Sequence, residues 1–165
     1  MSRPALAHPG PSSVMLTPGI VEAIVDHTRT DYPNEACGVI VGDAPAAAGG
    51  IALRWVAMRN EYGSPYRYRI HAEDLYPVLV EVDDADDLAF WAIVHSHVKS
   101  AAYPSPTDVA QAVFPDALYV LVSLEADEPA LGAYRIVDGS IFPVELVVGE
   151  GAQAGGGGPV PARRP

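Results

Sequence analysis

Two histidines and an aspartate carry the chemistry this chain can do. His95-Ser96-His97 is followed, seven residues later, by Ser105-Pro106-Thr107-Asp108, so the stretch reads H-S-H-x7-S-x-x-D. Two imidazoles and a carboxylate can supply three ligands to a zinc ion and leave the fourth position open to water, which is how a catalytic zinc differs from a structural one. A structural site is normally closed by four protein ligands, often cysteines, and Cys37 is the only cysteine here. The residue types therefore point to metal-assisted hydrolysis. Taken singly the pieces say less. Ser105-x-x-Asp108 alone is a helix capping box, far commoner than a metal site, and one histidine at a strand end is ordinarily structural. The metal reading rests on the combination.

That combination needs particular elements to position it. Residues 88–94 form a continuous apolar run, the pattern of a strand buried on both faces. Side chains two apart on a strand share a face, so His95 and His97 emerge together at its end. Ser105 then reads as an N-cap, Pro106 as the first helical residue and Asp108 as the third. On that frame the first turn of the helix can turn the Asp108 carboxylate back toward the strand.

The rest of the chain supplies a scaffold. Thr17-Pro18 starts a helix with Ile20, Val21, Ile24 and Val25 on one stripe, ended by Asp31-Tyr32-Pro33. A strand is expected over 37–41, a small-residue hairpin connection over 44–50, a strand over 51–58 and a short strand over 66–70. A second helix spans about 73–84, with Leu75, Val78, Leu79 and Val82 at helical spacing. Pro77 fits it only in the first turn, where a missing N–H has no intrahelical partner to lose. Strands follow over 118–124, 131–137 and 141–148, the last two joined by a turn at Asp138-Gly139. This order predicts one α+β (α/β-like) domain over residues 14–148, a mixed central sheet flanked by helices. Residues 1–13 are expected to be a disordered tail, and 149–165, rich in Gly and Pro, a flexible one.

Composition narrows the function classes. The formal charge of −11, with ten Lys and Arg in all, disfavours nucleic-acid binding, which is largely phosphate neutralisation. The acidic stretch from Glu81 to Asp87 reads as a solvated helix end. No apolar run is long enough for a membrane helix, and Arg3 is followed by no apolar segment of a secretory signal. A chain of 165 residues, 49% hydrophobic with one cysteine, is expected to be a cytoplasmic enzyme without disulfides.

The histidine and aspartate pattern, together with Asn34-Glu35-Ala36-Cys37-Gly38 upstream, resembles the JAMM, or MPN-plus (Mov34-type), zinc metalloproteases. The likeness spans about residues 14–148 and is nearest to the short bacterial branch that acts on ubiquitin-like sulfur-carrier proteins. Tyr103-Pro104-Ser105-Pro106-Thr107-Asp108, Tyr119-Val120-Leu121-Val122-Ser123 and Tyr134-Arg135-Ile136-Val137-Asp138-Gly139 carry it as well. Many members have a proline after the second histidine; this chain has Val98, a departure in the loop and not in a ligand.

The resemblance implies that His95, His97 and Asp108 bind one zinc ion per chain. It implies Glu35 as general base and acid, and Ser105 as a hydrogen-bond donor to the developing oxyanion. From its own position Glu35 reads only as a charged residue before a strand. The implied reaction is hydrolysis of the amide after the C-terminal Gly-Gly of a sulfur-carrier partner, releasing cysteine in a thiocarboxylate-dependent cysteine synthesis. Such a tail would thread to the metal extended, held by strand addition, with the aromatic and basic stretch 62–69 as a candidate wall. The alternatives are a broader isopeptidase that removes ubiquitin-like modifiers from lysines, a non-catalytic MPN scaffold, and a DNA-repair-associated relative. Intact ligands count against the scaffold and the acidic charge against DNA. Cys37 reads as a core residue, His8 as part of the tail, His27 and His71 as surface or capping residues. Glu22, Glu61 and Glu73 stand in no matching motif.

Overall fold

The residues leading into the histidines form the strand at the centre of the molecule. In the computed structural model, which describes residues 10–150, β4 (Ala89–His97) pairs antiparallel with β2 (Cys37–Gly42) and parallel with β5 (Leu118–Ser123). β3 (Ala52–Met58) lies outside β2. On the other side the sheet continues through β6 (Ala130–Val137), β7 (Ser140–Val148) and β1 (Ser13–Leu16). The β4–β5 and β1–β7 pairs are parallel and the remaining neighbours antiparallel, so the mixed sheet expected from the element order is present.

Helices cover both faces. α1 (Pro18–Asp31) begins at Thr17, whose Oγ1 accepts from the Ile20 amide at 3.3 Å. Its Ile20, Val21 and Ile24 pack with Leu16, Ile40, Trp91, Val94 and Val120. On the other face Val39, Val41, Ile93 and Leu121 of the same strands meet Leu75, Val78 and Val82 of α2 (Ala72–Asp84). Each such aliphatic side chain contributes about 1.5–3 kcal/mol when fully buried. That explains why β2, β4 and β5 read as unbroken apolar runs. The strand that carries His95 and His97 is thereby held with a paired neighbour on each side and a helix over each face.

Several expectations are corrected. Only one bridge, Asn60 to Ile70, forms where a short strand was expected over 66–70; Asn60 Oδ1 accepts from the Arg69 amide in place of a second strand. Pro77 does not sit in the first turn. α2 starts at Ala72 under the His71 cap and runs through Pro77 as its sixth residue, giving up the bond to the Glu73 carbonyl while Leu75, Val78 and Val82 hold the helix to the sheet. β1 was not anticipated. Its partner β7 is at the far end of the domain, and parallel pairing of distant segments leaves no local signal. Ser13 opens a strand, and residues 1–9 and 151–165 of the expected tails lie outside the described residues. The Asp138-Gly139 turn is as expected, with φ of 50° and 78° at its two residues. No helix among the described residues is long and apolar enough to cross a membrane.

Candidate metal centre and active site

His95 and His97 leave β4 on the same face, and α3 (Pro106–Ala110) turns Asp108 toward them. Ser105 is the N-cap, its Oγ accepting from the Asp108 amide at 3.1 Å while its own amide donates to Asp108 Oδ2 at 2.8 Å. This reciprocal capping box fixes the carboxylate. His95 Nε2 lies 3.2 Å from Asp108 Oδ1, His97 Nε2 lies 3.2 Å from Asp108 Oδ2, and the two Nε2 atoms are 3.2 Å apart. One ligand atom from each of the three residues falls within 4.8 Å of the others.

The loop between strand and helix is tied down at three successive carbonyls. Ser100 O accepts from Ser123 Oγ at 2.6 Å, Ala101 O from His97 Nδ1 at 2.8 Å, and Ala102 O from the Tyr134 hydroxyl. The middle bond also fixes a tautomer. A carbonyl can only accept, so His97 Nδ1 bears hydrogen and a neutral ring presents its Nε2 lone pair to Asp108 and His95. A nitrogen lone pair of neutral His97 and a carboxylate oxygen of Asp108 then face each other at 3.2 Å, a repulsion that a proton or a metal ion relieves. The donor set, two nitrogens and a carboxylate oxygen with a hydrogen-bonded partner behind His97, fits a divalent cation.

Charge states follow from burial. His95 is 1% exposed, and burial pushes its pKa down, against the pull of Asp108. Burial works the same way on His97, but hydrogen bonds to Asp108 and Ala101 and the charge of Asp108 hold its pKa above the usual value. Burial alone would raise the Asp108 carboxyl; hydrogen bonds from His95, His97 and the Ser105 amide hold it well below the usual carboxylate range.

Glu35 reaches the same place from another strand. It stands two residues before β2, 6% exposed, and lines one cleft of about 430 Å³ together with His97, Ser105 and Asp108. Its backbone is held at both ends, the amide donating to Ser64 O at 2.8 Å and the carbonyl accepting from Asn60 Nδ2 at 3.0 Å. Burial raises its carboxyl to about 7, helped by the charge of Asp108 and opposed by His97. A carboxyl near half-ionisation at neutral pH can both accept and return a proton.

The residue between the histidines joins Glu35 to them. Ser96 is fully buried on the opposite face of β4; its Oγ accepts from the Ala36 amide at 2.8 Å and its amide donates to Ala36 O at 3.0 Å. Glu35 is therefore registered against His95 and His97 through its neighbour. Ser96→Ala leaves the buried Ala36 N–H without an acceptor, and should lower stability by about 1–3 kcal/mol. The urea midpoint measures this, and a midpoint equal to the parent's would remove Ser96 from that role.

All five residues singled out from the sequence are thus brought together. The structure adds Tyr68, whose ring stacks on His95 with centroids 4.2 Å apart and an 18° interplanar angle. It also adds Ser123 and Tyr134, the anchors of the loop. The sequence signals only that Tyr68 belongs to an aromatic, basic stretch. His27, expected at the surface or a cap, instead packs between α1 and the sheet, its Nε2 within 3.3 Å of the Cys37 and Met58 carbonyls. His71 is a cap, its Nδ1 accepting from the Glu73 amide. Cys37 is a free, buried core residue with its thiol pKa pushed up to about 12 by burial, which removes it as a nucleophile. Val98, in the place of the proline common after the second histidine, is buried at 4% exposure.

A sheet of this order with a two-histidine, one-aspartate cluster at the end of its central strand defines a class. Residues 17–137 match the family described as prokaryotic homologs of the JAB domain, and the chain belongs to that family. It is similar to the CysO-cysteine peptidases of Mycobacterium tuberculosis and Mycobacterium bovis, 42% identical over 135 residues that cover 78% of this chain and 87% of theirs. A desampylase of Haloferax volcanii is 31% identical over 107 residues, 62% of this chain and 74% of that protein. Among solved structures, a Desulfitobacterium hafniense protein superposes with a TM-score of 0.72 at 23% identity, covering 83% of this chain and 93% of that one. A JAB1/MPN domain protein of Archaeoglobus fulgidus superposes with a TM-score of 0.52 at 12% identity, covering 81% of this chain and 99% of that one. Those two likenesses bear on the fold alone.

Proposed function

We propose that this chain is a zinc-dependent peptidase that hydrolyses the amide joining a cysteine to the C-terminal Gly-Gly of a ubiquitin-like sulfur-carrier protein, releasing the cysteine. The observation that carries the chemistry is the convergence of His95, His97 and Asp108 within 4.8 Å, beside a cleft that Glu35 and Ser105 also line. The substrate class is supported by the 42% identity to proteins named CysO-cysteine peptidase. Release of a thiol amino acid suits a reducing cytoplasm, where we expect the enzyme to work.

His95, His97 and Asp108 would hold the zinc, with the Ala101 carbonyl and the Ser105 amide orienting two of them. When bound, zinc supplies Lewis acidity, bringing the pKa of a water down to about 7 and polarising the scissile carbonyl. Ionised Glu35 accepts the proton of the attacking water on its carboxylate and delivers it to the nitrogen of the departing amine, so one residue serves as base and then acid. Ser105 Oγ already accepts from the Asp108 amide, which leaves its O–H free to donate to the carbonyl oxygen as negative charge develops. Tyr62, Tyr66 and Tyr68 line the cleft together with Ser105, Thr107 and Gln111. A Gly-Gly tail, having no side chains, can lie extended between them and use its own amides for hydrogen bonds.

The direct test is mass spectrometry of a small Gly-Gly-terminated carrier bearing a C-terminal cysteine, incubated with zinc-loaded enzyme. The expected result is loss of one cysteine residue, abolished by a chelator. Stoichiometric zinc without cleavage would favour the isopeptide reading, for which the similarity to a desampylase speaks. Failure to bind zinc would overturn the proposal.

A further inference from the structure

The cleft has an uneven charge distribution. Two carboxylates line it, Glu35 and Asp108, and a single Lys or Arg, Arg67. The Arg67 guanidinium carbon lies 4.0 Å from the centre of the Tyr62 ring, which lines the same cleft. Stacking on an aromatic face orients the guanidinium plane while leaving its N–H fork unused. No carboxylate pairs with Arg67 among the described residues, whereas Arg69, 4.8 Å from the same ring, is engaged by Glu61 at 3.6 Å. A chain of net charge −11 thus holds one oriented, uncommitted cation beside its reacting groups.

The proposed reaction supplies one anion for it. An extended Gly-Gly tail offers only neutral amides, and the water and carbonyl are served by the metal ligands, Glu35 and Ser105. A departing amino acid that ends its chain, however, carries an α-carboxylate one carbon from the nitrogen being released. A lysine held through its side chain carries none at that distance. We infer that Arg67 binds the free α-carboxylate of the departing residue and so restricts the enzyme to removal of a single C-terminal residue; the inference rests on the proposed function above. A planar guanidinium matches a carboxylate through two parallel hydrogen bonds. That pairing strengthens as substrate displaces water from the cleft and lowers the local dielectric. Arg67 is then a specificity-determining residue that sorts a C-terminal cysteine adduct from an isopeptide.

The test compares two substrates on each enzyme: the carrier ending in Gly-Gly-Cys with a free carboxylate, and the same adduct with a C-terminal carboxamide. Zinc-loaded wild type should favour the acid by about 10- to 100-fold in kcat/KM, the range of a charged hydrogen-bonded pair. Arg67→Gln should bring the acid-to-amide ratio close to one. Arg67→Lys, a point charge without the planar fork, should fall between. The ratio is internal to each variant, so partial misfolding cannot imitate the result. Equal wild-type rates on both substrates, or an Arg67→Gln enzyme slowed on both with its ratio intact, would overturn the inference and leave the peptidase reading standing. Cleavage of neither substrate by wild type would overturn both.

Discussion

His97→Ala is expected to abolish zinc binding and turnover together. The substitution removes one of the three proposed ligands, and it also removes the hydrogen bond from Nδ1 to the Ala101 carbonyl at 2.8 Å. The loop leading to Ser105 and Asp108 would then be held only through Ser123 and Tyr134. Losing a supporting partner behind a zinc ligand costs roughly 10–100-fold in affinity or activity, so losing the ligand and its tether should cost more. Metal content after gel filtration and cysteine release from the carrier adduct report the two losses separately. A His97→Ala protein that keeps one zinc per chain would remove His97 from the metal site.

Glu35→Gln should separate the two properties, keeping zinc and losing turnover by about 10²–10⁴-fold, the usual contribution of a general acid–base group. Glutamine keeps the shape of the buried side chain but cannot take a proton from water. A pH effect on stability accompanies the loss of activity. In the metal-free protein burial raises the Glu35 carboxyl from an ordinary 4.5 to about 7. Below pH 4.5 it is neutral whether the chain is folded or unfolded. As pH rises from 4.5 to about 7 the unfolded chain releases that proton first, so this group's contribution to stability falls across the interval. At about 1.4 kcal/mol for each tenfold, the full loss is of order 3 kcal/mol. Urea titrations of metal-free protein at pH 5 and pH 8 should show a decline in wild type that Glu35→Gln lacks. Parallel declines in the two proteins would place the titrating group elsewhere.

The legible parts of the site were those written in a few adjacent residues. Alternation along a buried strand puts His95 and His97 on one face whatever the rest of the fold does, and a capping box places Asp108 in the first turn from local hydrogen bonds alone. Glu35 is different. It is sixty residues from His95 in sequence, and nothing local distinguishes it from Glu22, Glu61 or Glu73; only the family motif singled it out. The structure brings it in through antiparallel pairing of Cys37 with His95 and through the Ser96 hydroxyl on the Ala36 amide. Tyr68 and Arg67 were legible only as members of an aromatic and basic stretch, since their placement depends on how the loop after β3 folds back across the cleft.

The sequence by itself therefore determined the shared strand face of the two histidines, the capped helix opposite them and the α+β class, because each follows from short-range periodicity or hydrogen bonding. Tertiary structure alone decided the rest. It set the parallel partnership of β1 with β7, the passage of α2 through Pro77, and the burial that raises the Glu35 carboxyl. It also stacked Tyr68 on His95 and left Arg67 as the cation of the cleft. Those outcomes depend on which distant segments meet in a closed core, where long-range packing and desolvation outweigh local preference.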